Sequence, residues 1–527
     1  MNQGVEQSER QEDLTILVKE VVLADGTVLE ADVVVAGIGA IPNSDFLTGS
    51  NVAVDSRKAV IVDKFMRTNV ADVFSAGDVA SFPLTIRGDQ RVNIGHWQMS
   101  HAHGRVAALN MLNKPTTIES VPFFWSALAG KSIRYAGYGE GYTEIIIKGK
   151  LEERKFVALY IKDGVVVAAA SMGMEPAVSR VADLLDQGRA ITKTQAQMKE
   201  VTVEDQKVLL VRTKGQYSAV GGRCTHYNAP LIIVCTKGDQ IVIINLPGTL
   251  VGDRVRCPIH GACFNVKTGD IEDYPGLDCL PTYKVKVQDG NVYVSVDKKS
   301  LKLTKRMKEM CTVKPDVKHI ILLVGGGPAS LVCAETLRQN CYQGRIIIVT
   351  KDNLPPFDKP KLSKAMNVES SSILLRQHDF YQQHGIEMWT GKEVVSVNSA
   401  DKVVKMSDGT SQRYDQLLIS TGCRRSVPSP VSWIRFEGGT SAAELRRRQR
   451  DSCIISWQES CCMEAASYLS DKAASVTLVG PTKYPFQKSL GPEIGKMTME
   501  MLEEKKVKFV MNNKVTEIRG EDGKTKY

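Results

Sequence analysis

The chain has 527 residues, 43% apolar and 24% charged, which is enough for three or four domains of ordinary size with the composition of a soluble multidomain protein. Its 68 basic and 59 acidic residues are spread along the length, and the one basic run, LRRRQR at 445–450, carries no interleaved aromatics, so no nucleic-acid partner is expected. No stretch reaches the roughly 18 apolar residues of a membrane span, and 12 scattered cysteines point to a reducing compartment and not to a disulfide framework.

Residues 1–13 form a leader with acidic residues and no apolar stretch, unlike a secretory or Arg-rich transit peptide. Residues 14–60 alternate as strands and close on ADVVVAGIGAIPNSDFL. Residues 61–118 carry short strands to the pair Gly77–Asp78, then helical spacing in GHWQMSHAHGRVAALNML. Residues 119–190 mix strands with the short helix SRVADLLDQG, an α+β pattern, and residues 197–297 are short strands with Gly-containing turns. A Lys-rich link spans 298–316. At 317–430 the pattern becomes strand, glycine loop, helix, strand, the opening of a doubly wound sheet. Residues 431–462 carry no readable element, and 463–527 hold the middle of a second α/β domain.

The all-β stretch contains Cys224-Thr-His226 and Cys257-Pro-Ile-His260-Gly. Two Cys/His pairs on matching turns suit a [2Fe–2S] cluster with thiolates on one iron and imidazoles on the other; a four-ligand zinc site is the alternative. With GACFNVKTGD following, the stretch resembles the Rieske family, which implies Cys224, His226, Cys257 and His260 as metal ligands. CTHYNAP lacks the extra cysteine of the high-potential members, which implies the ferredoxin-like subgroup. Thirty residues separate His226 from Cys257, more than the family's usual spacing, and the excess at 233–248 reads either as an inserted hairpin or as sequence read through from a non-coding segment.

Gly325, Gly326, Gly327, Pro328, Ala329 and Ser330 stand between the strand HIILLV and a helix. Glycines there admit a pyrophosphate to the backbone, and the helix N-terminus offers amide donors. The next strand ends VTKD, so Thr350 or Asp352 replaces the usual acidic ribose partner. PKLSK at 360–364 and YDQLLISTG at 414–422 then resemble the FAD-dependent pyridine-nucleotide reductases of the ferredoxin reductase and apoptosis-inducing-factor type. The resemblance implies that Lys364, Thr421 and Gly422 lie near the flavin, and that Gly77 and Asp78 in DVFSAGDVASFP serve its ribityl side. It continues through GHWQM and VPFFW into the tail. No C-x4-C redox pair follows the glycine loop, so disulfide reduction is not expected.

The fold expected is α/β with an inserted all-β module: two doubly wound FAD- and NAD-binding domains, a Rieske β domain and an α+β tail. The order of pieces differs from the family's. It reads either as a circular permutation cut in the hairpin VTEIRGEDGKTKY / TILVKEVVLADG, or as segments joined from neighbouring gene copies. Glu464 matches the glutamate of the nicotinamide domain, but RRRQRDSCIISWQESCC stands where its first strand and glycine loop should be, and the vicinal Cys461 and Cys462 read as incidental. The resemblance implies an NAD(P)H oxidoreductase passing electrons from FAD to a Rieske cluster and on to a small-molecule or protein acceptor, with oligomerisation open. It further implies a mitochondrial location, the cytoplasm being the alternative without an address. A redox-cofactor-bearing pro-apoptotic signalling protein with little NADH turnover is the competing expectation.

Overall fold

The computed structural model describes residues 18–37, 39–188, 197–203, 206–231, 235–237, 240–242, 250–296, 301–364, 368–425, 452–457, 460–520 and 523–526. They fall into two compact units.

The first unit comprises Met1–Gly39, Lys361–Ser370 and Arg425–Tyr527. Its parallel sheet runs in the order Val507–Met511, Ser475–Gly480, Ser452–Trp457, Val33–Gly37, with Val33 opposite Cys453 and Ile454 opposite Thr477. Helix Ser460–Leu469 makes the crossover between two of these strands, as a parallel pair requires. An antiparallel sheet places Val28–Glu30, Val18–Leu23, Val515–Gly520 and Gly523–Lys526 side by side. Val21, Leu23 and Ala31 share one core with Ile454, Val479 and Ile518, so segments from both ends of the numbering build a single domain. The order of pieces found in this chain therefore still closes these sheets.

Two expectations are corrected here. The strand thought absent from 431–462 is Ser452–Trp457, paired on both sides. Its run Cys453-Ile454-Ile455 is too short for periodicity to separate strand from helix, and only its neighbours decide. Residues 431–450 lie outside the described set. The domain join also falls at Gly39 and not at residue 60, because Leu47, Val52 and Val60 are buried in the core of the other unit.

The second unit comprises Ala40–Pro360 and Ser371–Arg424. Its parallel sheet is ordered Ile386–Trp389, Arg345–Val349, Ile320–Val324, Gln416–Ile419, Val73–Ser75, so the last strand comes from far earlier in the chain. Leu322, Leu323, Ile347, Leu417 and Leu418 are fully buried, as befits strands covered on both faces. Helices Pro328–Gln339 and Trp97–Met111 cross on this sheet. The tail is a five-stranded antiparallel sheet, Glu144–Lys150, Lys155–Lys162, Val165–Met172, Lys131–Gly137, Phe123–Leu128, with helix Ala177–Gln187 against it.

The all-β module combines a five-stranded sheet spanning Gln197–Val203 to Asn291–Ser295 with a four-stranded sheet from Leu250–Val251 to Ile271–Asp273. Within the insertion, Cys235–Lys237 pairs with Gln240–Val242 as a hairpin. The Lys-rich link is pinned: Arg306 forms a bridge with Cys279, and Lys305, Arg306 and Lys308 pair with Asp278 and Asp270.

The helix crossing depends on Gly104, since a Cβ there would stand 2.2 Å from the Ala329 carbonyl oxygen. Gly104→Ala is expected to destabilise the second unit by about 1–3 kcal/mol through overpacking, seen as a lowered Tm in calorimetry; an unchanged Tm would contradict the tight crossing.

Candidate functional site

The two Cys/His turns are built alike. In the first, Cys224 N donates to Ala229 O at 2.7 Å and Asn228 N to Cys224 O at 3.0 Å; in the second, Cys257 N donates to Ala262 O at 2.7 Å and Gly261 N to Cys257 O at 3.1 Å. Both thiols are buried and share a hydrogen bond, which draws Cys257 down and pushes Cys224 up in pKa. Backbone amides of His226 and Tyr227 donate toward the Cys224 sulfur, and those of Ile259 and His260 toward Cys257, an arrangement that stabilises thiolates. The rings of His226 and His260 stand with centroids 5.0 Å apart.

Among the described residues no three His, Cys, Asp or Glu side chains gather closely enough to hold one ion, as the zinc alternative would require. A binuclear iron centre asks each iron for only two protein donors, thiolates on one and imidazoles on the other. The residues fit the [2Fe–2S] group.

The imidazoles are covered by residues that sequence reading left unassigned to the cluster. Trp125 packs on His260 at 4.3 Å and His226 at 5.8 Å between centroids. Tyr227 stacks on His226 at 3.9 Å and donates its hydroxyl to Asp358 at 2.7 Å. VPFFW was legible as a tail motif, but nothing local in it points at a cluster.

The flavin-side residues also converge. Gly325 has φ +126°, and a Cβ there would meet Ser420 O at 2.2 Å; a Cβ on Gly326 would meet Thr350 Oγ1 at 2.5 Å, whereas Gly327 faces open space. Pro328 occupies the first turn of the following helix, where its missing N–H costs nothing. Ser330, a departure from the usual Gly or Ala, shares a 2.6 Å hydrogen bond with Ser420. Thr350, one of the two ribose candidates, is buried against the loop and accepts from Asp352 N at 3.2 Å.

Asp78 is brought to this loop: a Cβ on Gly77 would lie 3.5 Å from that of Ala329. One oxygen of Asp78 accepts from Ser100 at 3.0 Å. Burial pushes the carboxyl up, while the Ser100 hydroxyl and the Lys359 charge pull it back. Gly77 N donates to His103 Nδ1 at 3.2 Å, and burial holds that imidazole neutral, its pKa drawn down to about 3. The helical spacing of WQMSHAH carried the signal for Ser100 and His103, which became readable only once Asp78 was placed.

Thr421 donates to Asn43 O at 2.6 Å, and Gly422, at φ +65°, accepts from Asn43 N at 2.9 Å. Lys364 ends the short helix Lys359–Lys364, and its side chain lies outside the described residues. Glu464 is buried in helix Ser460–Leu469 of the other unit.

The pyridine nucleotide-disulphide oxidoreductase model matches residues 1–104 and 319–527, two stretches that fold together in both units. This chain belongs to that family. The Rieske [2Fe-2S] domain model matches residues 186–284 and the reductase C-terminal model residues 123–206. These matches carry FAD, NAD(P)H and a [2Fe–2S] cluster as the cofactors.

The chain is 38% identical to apoptosis-inducing factor 3 of Homo sapiens over 365 residues, 67% of this chain and 56% of that protein. It is 28% identical to rubredoxin-NAD(+) reductase of Pseudomonas putida over 38% of this chain and 55% of that one. It is 35% identical to the biphenyl dioxygenase system ferredoxin–NAD(+) reductase component of Paraburkholderia xenovorans over 29% and 37%. The chain thus spans little more than half the length of the curated relatives it matches. Among the described residues no helix is long and apolar enough to cross a membrane.

Asp78→Ala is expected to weaken FAD binding about ten- to a hundredfold, the loss of a charged hydrogen-bonding group, measured by flavin fluorescence on dilution. Cys257→Ser is expected to abolish the Rieske electron paramagnetic resonance (EPR) signal while bound flavin stays; an intact signal would remove Cys257 from the ligand set.

Proposed function

We propose that the chain is an FAD-dependent NAD(P)H oxidoreductase that passes electrons from flavin to its own Rieske cluster. Bound FAD supplies acceptance of a hydride from nicotinamide and release of single electrons, so the protein's task is binding, orientation and exclusion of water. The observation that carries the reading is a shared loop. Asp358 accepts from Tyr227 beside the cluster ligands, and the next residue, Lys359, places its charge toward Asp78 in the flavin cradle.

The Gly325–Ser330 loop would hold the pyrophosphate on the helix N-terminus. Asp78 would accept a ribityl hydroxyl on the oxygen that Ser100 leaves open, with Thr421 and Gly422 shaping the same wall. Cys224, His226, Cys257 and His260 would hold the irons. Trp125, packed on both imidazoles, shields that side of them from water. The onward acceptor, whether small molecule or protein, and residence in mitochondria belong to the same proposal.

One observation favours the second reading, a signalling protein with little NADH turnover. Only Gln458 and Glu459 lie between strand Ser452–Trp457 and helix Ser460–Leu469, and neither is a glycine. The sequence there thus lacks the glycines by which a pyrophosphate reaches backbone amides, while Glu464 of the nicotinamide motif is present.

Anaerobic mixing decides between them. If the oxidoreductase reading holds, NADH bleaches the flavin absorbance and a Rieske EPR signal follows. Flavin and cluster both reduced by light or dithionite, yet untouched by NADH, would select the signalling reading. Flavin that reduces without ever passing electrons to the cluster would sink the proposed route.

A further inference from the structure

The two ligand turns are alike in backbone but differ in what holds them from outside. Around the first, Arg223 donates to Asn228 O at 3.0 Å and Thr225 to Asp278 O at 2.7 Å within the Rieske module, and Tyr227 reaches outside it to Asp358 on the flavin side, at 2.7 Å. The second is gripped by the tail domain. Arg134 Nε donates to Ile259 O at 2.8 Å, and Ser179 Oγ donates to Cys257 O at 3.3 Å. Arg256, fully buried, donates to Gly261 O at 3.0 Å and Asp273 at 3.0 Å inside the module, and to Asp183 of the tail helix at 2.5 Å. Gly261 has φ +81°, and a Cβ there would press on the Phe123 ring at 2.8 Å. Arg134 is itself fixed by an ion pair with Glu175, its side chain 10% exposed.

A trans peptide points its carbonyl and the following N–H in opposite directions. The guanidinium that holds Ile259 O therefore also sets where the His260 N–H points, and that N–H is one of the donors to the Cys257 sulfur. Hydrogen bonds to the sulfurs and nearby charge tune iron–sulfur potentials.

We propose that Arg134, anchored by Glu175, is a positioning residue for the [2Fe–2S] centre, so that the reductase tail domain, as well as the Rieske module, sets the cluster's potential and magnetic signature. Arg134 acts through the Ile259–His260 peptide, which it holds by hydrogen bond, and through its charge, which favours the Cys257 thiolate. The inference rests on the Rieske assignment within the proposed function and is independent of NADH turnover or of transfer from flavin.

The test is a mediated redox titration of the full chain, followed by EPR, with iron and labile sulfide measured beside it. Arg134→Gln is expected to lower the midpoint potential, changing the oxidised-to-reduced ratio at fixed potential about tenfold, ~59 mV for one electron, and to shift the g values at full iron content. Arg134→Lys, which keeps a charged donor, is expected to restore most of the shift. Arg134→Gln with wild-type potential and g values would overturn the proposal.

Should Arg134→Gln fail to load iron, Glu175→Gln carries the test, because it releases the guanidinium without removing it. Altered g values then support the proposal, and unaltered ones overturn it. Because mediators deliver the electrons, a chain whose flavin never reduces the cluster still gives a clear answer. Absence of any Rieske signal in the wild-type chain would instead overturn the metal assignment and this inference with it.

Discussion

The carbonyl of Ala329 approaches Gly104 so closely that no side chain could stand between the two helices, and the flavin cradle follows from that contact. Helix Pro328–Gln339 carries the glycine loop at its head, and helix Trp97–Met111 carries Ser100 and His103. Crossing at van der Waals distance, the two bring Asp78 and its partners to the glycine-loop end of the sheet. Neither segment alone forms a site. The small residues at the crossing, Gly77, Gly104 and Ala329, let the carboxylate segment come that close.

A second constraint joins the redox centres. Buried arginines clamp the Rieske module on two sides: Arg256 reaches the tail helix through Asp183, and Arg376 joins Asp278 of the module to Glu335 of the flavin-side helix. Buried pairs of this kind cost desolvation and are poor evidence for net stability, yet breaking one partner leaves a stranded charge. Their physical effect is therefore orientation. A Rieske module held this way presents one face to the flavin-binding domain, in contrast to a tethered carrier free to swing.

Much of the chemistry was readable from residues close in sequence. The C-x-H and C-x2-H pairs, the glycine loop on its strand and helix, and the Gly77–Asp78 pair are each legible within a few positions, and the structure brings the members of each together. What the sequence left hidden was contributed across distance. Trp125, Arg134 and Ser179 look like ordinary residues of a sheet and helix, because the loops they touch lie about a hundred positions later. Strand Ser452–Trp457 was missed for a related reason: a short apolar run becomes a strand only through the neighbours that flank it, and one of those is Val33–Gly37. The boundary at Gly39 was placed too late because strand alternation continues through it while the buried face changes partner cores.

The strand pairing of the first unit also governs when it can form. Glu20 meets Arg519 across 499 positions, and Val21 lies opposite Ile518. Strand Val18–Leu23 pairs with nearby Val28–Glu30 on one edge, but its other edge meets a partner far along the chain, while the tail and Rieske sheets find theirs closer by. Contacts of such separation are entropically costly to close and slow to form. Until Val515–Gly520 is in place, that edge of Val18–Leu23 is open to pairing with other strands, so closing this sheet guards an aggregation-prone edge.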